Sequence, residues 1–171
     1  MPVIAALFVT VCVCCAPVGA AADTNTVPQS SSPEKIARST ALYRAGLELQ
    51  KKQNDLDGAV AKYEEALREN PANADCLNHY AWFLAVEAPA ERRKIDRGIE
   101  LGLLAVKASE GRRPDILDTV AEAYFQKGDI ARAVEYGRKA IRAQQESKSD
   151  KYKDYLKTQQ KKFEAAARSG N

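Results

Sequence analysis

Histidine is almost missing from this chain. The one residue of its kind in 171, His79, cannot build a His-rich metal site. Cys76-x-x-His79 puts two ligand types on one helix face, where a structural or catalytic metal takes three or four. Cysteine is scarce as well: Cys12, Cys14 and Cys15 fall in an apolar leader, and beyond it only Cys76 remains. A single thiol makes no internal disulfide, so no disulfide framework supports the fold. Cys76 is expected as a small buried apolar residue. Seven prolines and nine glycines are too few for a collagen-like or low-complexity chain. Gly-rich phosphate loops, paired-His metal motifs and nucleophile elbows are all missing. These absences point away from an enzyme, a metal and a cofactor.

Charge is missing from the N-terminus. Residues 1–22 carry no charged side chain, and residues 3–15 (VIAALFVTVCVCC) form an apolar run. That length suits the core of a signal peptide and is short for a membrane span. Pro17 and Gly19 break the run, and two small-residue cleavage sites follow, Val18-Gly19-Ala20 and Ala20-Ala21-Ala22. The competing expectation is an uncleaved N-terminal anchor, since a stretch of this length can just cross a bilayer. Both place the folded part outside the cytoplasm, in the periplasm or cell envelope. Residues 23–38 are expected as a linker, opening with the polar stretch DTNTVPQSSS.

What the chain does have, from Ser39 onward, is a repeat. Three segments share one spacing of large apolar, apolar, small and large apolar residues at i, i+3, i+4 and i+7. They are Leu42/Ala45/Gly46/Leu49, Leu77/Tyr80/Ala81/Leu84 and Leu117/Val120/Ala121/Tyr124. This is the geometry of one helix face. The small residue in the middle lets a second helix cross close by. A second helix follows each segment, marked by small residues two turns apart: Ala59/Ala66, Gly98/Ala105 and Ala133/Ala140. Turn signals separate the helices: Asn54-Asp55 and Asp57-Gly58 in the first pair, Pro89 in the second, Gly128-Asp129 in the third. The spacing predicts three hairpins over 39–73, 74–113 and 114–147.

These hairpins resemble the tetratricopeptide repeat, a helix–turn–helix unit of about 34 residues whose copies stack into a superhelix. The third copy fits best, the first has one extra residue in its turn, and the second departs most. The resemblance implies an all-α solenoid. It also implies that first helices line a concave groove, with the residue after each small crossing position, and the one four earlier, facing it. Those residues are Tyr43/Leu47, Asn78/Trp82 and Asp118/Glu122, with Phe125 one turn on. Relatives that clamp a partner's C-terminal carboxylate present Lys or Arg with Asn at these places. Only Asn78 matches here, and Asp118 and Glu122 would repel a carboxylate. A helix or extended segment with apolar anchors and a Lys or Arg suits this groove better.

Residues 148–171 are expected as an amphipathic capping helix and tail, with Tyr152, Tyr155, Leu156, Gln159 and Phe163 at helical spacing. The formal net charge is +3, and residues 144–171, with seven Lys/Arg against four Asp/Glu, account for all of it. The function expected is protein binding in the groove. Two alternatives stand beside it. Lys148, Lys151, Lys153, Lys157, Lys161 and Lys162 could dock the protein to anionic lipid or another polyanion, nucleic acid excepted. The groove could also drive self-association into a homo-oligomer.

Overall fold

A computed structural model describes residues 31–147 and 149–169, with Gln53 by its backbone alone. The expected leader, most of the linker and Lys148 lie outside the described residues. Seven helices make up the described chain, in three antiparallel hairpins and a final helix. The hairpins are α1 (Pro33–Glu48) with α2 (Leu56–Glu69), α3 (Ala74–Trp82) with α4 (Ile95–Ala108), and α5 (Pro114–Lys127) with α6 (Ile130–Glu146). Helix α7 (Lys153–Ser169) packs on α6. Among the described residues no helix is long and apolar enough to cross a membrane.

Helix starts are set by short polar side chains that take orphan backbone N–H groups. Asp55 accepts from Gly58 N at 2.9 Å, Asn73 from Cys76 N at 3.1 Å and Asp129 from Arg132 N at 3.1 Å. Ser32 caps α1 in the same way, and Pro33 occupies the first turn. Helix α1 therefore begins six residues before Ser39, and the expected linker is shorter than 23–38. At the third turn Gly128 adopts φ 84°, and the N–H groups of Gly128 and Asp129 close on the carbonyls of Phe125 and Tyr124 at 2.9 Å each.

The extra residue of the first turn has a structural outlet. Helix α1 runs on into a π-helical turn, Leu49–Gln53, which ends at left-handed Asn54 (φ 52°). A second π-helical turn, Phe83–Glu87, extends α3, and Ala88 N donates to Phe83 O at 2.8 Å. Such turns absorb an inserted residue without breaking the helix. Helix α5, in the repeat with the most regular spacing, has none.

The small residues named from the sequence sit where helices touch. Ala59, Ala66, Ala81, Ala105, Ala121, Ala133 and Ala140 have no exposed surface, and Cys76 is equally buried. The larger members of the second and third segments, such as Leu77, Leu84, Leu117 and Val120, form the core with them. The first segment is less enclosed, because no hairpin stacks on its outer side within the described residues. Ser39, buried in α1, ties three helices together: its hydroxyl donates to Ala66 O at 2.8 Å and accepts from Asn73 Nδ2 at 2.8 Å.

Gly46 shows how tight a crossing is. A Cβ there would stand 2.5 Å from Tyr63 Cε1 and 3.2 Å from the Ala59 carbonyl. In an open helix Gly→Ala stabilises by about 1 kcal/mol. Here overpacking opposes that gain, and Gly46→Ala is expected to destabilise by about 1–3 kcal/mol. A urea midpoint equal to or above wild type would contradict this crossing.

Candidate functional site

Helices α3 and α5 and the start of α7 form an open cleft of about 420 Å³. Asn78, His79 and Trp82 come from α3, and Asp115, Asp118 and Thr119 from α5. Tyr152, Tyr155 and Leu156 close it from the start of α7. Three expected groove residues, Asn78, Trp82 and Asp118, therefore share one cavity. Of the adjacent aromatic pair, Phe83 goes to the core at 4% exposure, while Trp82 is partly exposed and lines the cleft.

Trp82 is held from behind. Its Nε1 donates to Glu87 Oε1 at 3.1 Å, and Gln50 Nε2 donates to Glu87 Oε2 at 2.9 Å. Gln50 Oε1 accepts from the Tyr63 hydroxyl at 2.7 Å and lies 3.1 Å from His79 Nε2. With that oxygen as acceptor, His79 carries its proton on Nε2. Burial holds His79 below its ordinary value, with Glu87 acting the other way. Tyr43 leans on this group with ring centroids 6.1 Å from Tyr63 and 6.0 Å from His79, and burial raises its hydroxyl to about 12. Leu47 packs beside it, partly buried against the core of the first two hairpins. Gln50 and Glu87 belong to the two π-helical turns, so those turns supply the brace.

The far end is arranged differently from the open groove expected from the sequence. Asp118 and Glu122 are 5% and 4% exposed, because side chains of α7 lie over them. Lys162 Nζ donates to Glu122 Oε2 at 2.6 Å and sits 4.4 Å from the centre of the Phe125 ring. Phe125 packs on Phe163 with centroids 5.3 Å apart. Glu122 and Phe125 thus have internal partners, while Tyr43, Leu47, Asn78 and Trp82 remain partly open. The seat of α7 is fixed at Gly137, where an added Cβ would meet Gln160 Oε1 and stand 3.2 Å from Phe163.

Asp118 has no such cation, although the Tyr155 hydroxyl is beside its carboxylate. Its Oδ1 is buried with no hydrogen bond, and so is Asn78 Oδ1 across the cleft. Burial raises the Asp118 carboxyl to about 6, while the Tyr155 hydroxyl and the Lys162 ammonium act in the opposite direction and Glu122 and Asp115 add to the rise. Asp115 itself is engaged by Arg113, which bonds it at 2.6 Å and Asp75 at 2.5 Å. The lysines of the cap are dispersed: Lys162 is drawn inward to Glu122, Lys153 pairs with Asp150 at 3.3 Å, and Lys157 and Lys161 are exposed. No group of three or more candidate metal ligands occurs among the described residues.

Gln50, Glu87, His79, Tyr152 and Tyr155 were not among the expected groove residues. The tyrosines had a signal, their helical spacing with Leu156 in the cap. Gln50 and Glu87 had none, since the π-helical turns decide where they point.

An acid whose folded pKa is raised makes its stabilising contribution below its unfolded value, near 3.8, and loses it as pH climbs through about 6. Asp118→Asn should therefore raise stability at pH 7.5 by about 1–3 kcal/mol, with the gap to wild type closing toward pH 4. Asp115, Glu122, Tyr155 and Lys162 act on the Asp118 charge, so the difference reports its burial together with those interactions. Chemical denaturation across that range measures it, and a gap that is flat or reversed would refute the burial of an unpaired carboxylate.

No family model and no curated protein matches the sequence. Solved structures do match the fold. The first tetratricopeptide domain of Spaghetti (RPAP3), bound to an HSP90 peptide SRMEEVD, aligns with TM-score 0.63 and 14% identity over 78% of this chain and 95% of that one. The N-terminal domain of stress-induced protein-1 (STI-1) from C. elegans gives 0.57 and 18%, covering 75% and 98%. The Sgt2 tetratricopeptide domain from Aspergillus fumigatus gives 0.61 and 24%, covering 83% and 87%. The chain has the tetratricopeptide-repeat fold: an all-α solenoid of three helical hairpins with a C-terminal capping helix.

Proposed function

We propose that this protein is a non-catalytic binding module that holds a segment of a partner protein along its first-helix face, and that it does so outside the cytoplasm. The observation that carries this is the open cleft at Trp82. A tryptophan sits at its wall, braced by Glu87 and Gln50, with Tyr43 and Leu47 continuing an apolar surface along α1. A rigid, partly exposed aromatic in a concavity is the kind of residue that dominates binding energy at interfaces. The likeness to a fold neighbour holding a peptide supports a peptide partner here. That neighbour's peptide is acidic, however, and the Asp118 carboxylate, which no Lys or Arg among the described residues pairs with, favours a segment of the opposite sign. Export rests on the uncharged residues 1–22 with their apolar run and small-residue cleavage sites.

The test is affinity capture from envelope extract with three baits: wild type, Trp82→Ala, and Lys157→Glu/Lys161→Glu. A protein retained by wild type and the lysine variant but weakened at least tenfold by Trp82→Ala places the function in the groove. Loss in the lysine variant alone, with steep salt dependence, would assign it to an anionic surface instead. A concentration-dependent mass with no foreign protein captured would assign it to self-association.

A further inference from the structure

The cleft at Trp82 has a chemistry more specific than an apolar groove. Two of its buried oxygens, Asn78 Oδ1 on α3 and Asp118 Oδ1 on α5, have no donor. Both are acceptors, and Asp118 is 95% buried, so its unmet bond is costly. The other acids nearby are already matched, Asp115 by Arg113 and Glu122 by Lys162. Asp118 is the acid left without a cation, with only the Tyr155 hydroxyl beside its carboxylate, and the cleft it lines is shared by the side chains of Trp82 and Tyr155.

We propose that this cleft receives the guanidinium of an arginine side chain on the partner segment, with Asn78 and Asp118 as acceptors and Trp82 and Tyr155 as aromatic walls. The inference rests on the groove function proposed above and names the residue the groove selects. A guanidinium presents several N–H donors in a plane, which suits two acceptors projecting from two different helices. Its faces stack on aromatic rings, and it is less strongly hydrated than an ammonium, so it enters a partly dry cleft at lower cost. A hard cation is a poor match, because one carboxylate and one amide oxygen fall short of the six or more ligands that calcium takes.

Trp82 is the only tryptophan in the chain, so its fluorescence reports on this cleft directly. The full chain is titrated with acetyl-Ala-Ala-Arg-Ala-Ala-amide and with the same peptide carrying citrulline, which keeps the shape and removes the charge, in place of arginine. A saturable change in Trp82 emission is expected with the arginine peptide, with citrulline at least tenfold weaker. Asp118→Asn should weaken the arginine peptide at least tenfold. Because that variant is expected to be the more stable protein at neutral pH, unfolding does not account for the loss. Asn78→Ala, with circular dichroism as the fold check, should weaken it severalfold. Equal affinity for the two peptides, no emission change with either, or an unaffected Asp118→Asn would each overturn the proposal.

Panning a random displayed-peptide library on the same chain separates this inference from the function it rests on. Arginine enriched at one position of the Trp82-dependent peptides supports both. Trp82-dependent peptides without arginine leave the groove function standing and overturn the arginine site. If no enriched peptide depends on Trp82, both are wrong.

Discussion

Close approach of helix backbones at alanine and glycine is the constraint on which the rest of this structure depends. A helix pair buries its apolar stripe well only if nothing bulky stands at the crossing, and here every crossing carries Ala or Gly without exposed surface. Gly46 against Tyr63 and Gly137 against Phe163 mark the two ends of the array. At the first, a tyrosine ring lies directly on the α1 backbone. At the second, the absence of a side chain lets α7 settle on α6, and that seat brings Tyr155 and Lys162 over α5. The cleft exists because these contacts set the separation of α3, α5 and α7.

The polar side chains of the inner face divide into a brace and a vacancy in bonding. Gln50, Glu87, Tyr63 and His79 satisfy one another and hold Trp82 in place. Asn78 Oδ1 and Asp118 Oδ1, on α3 and α5 in the same cleft, have no hydrogen-bond donor. Gln144 Oε1 and Gln160 Oε1, on α6 and α7, are also unpaired, but of the four only the oxygens of Asn78 and Asp118 belong to residues that line the Trp82 cleft. Residues such as these violate the rules of a well-packed core, and such violations gather at functional sites.

The fold was largely legible in the sequence because the signals involved are local. Small residues seven apart, Asn54-Asp55, Pro89 and Gly128-Asp129 each report on geometry within a turn or two of themselves. The start of α1 was missed although Ser32-Pro33-Glu34 is a sound helix opening, because the first turn is exposed and carries no apolar rhythm. The site was legible only in part. Asn78, Trp82 and Asp118 meet as their repeat positions implied, but the brace depends on contacts 13 to 37 positions apart and on two π-helical turns. The coverage of Asp118 and Glu122 depends on the rotation of α7 about its own axis. Its lysines are spread around the helix, so composition could not show that Lys162 would turn inward.

The central claim is that a partner lies along the first-helix face. Site-specific photocrosslinking tests it most directly, with p-benzoylphenylalanine placed in the full chain in cells at position 47, on that face, or at position 104, exposed on the second-helix layer. The account predicts a discrete crosslinked protein from position 47 and none from position 104. Crosslinks from 104 with none from 47 would contradict it, and would move the binding surface to the opposite side of the solenoid.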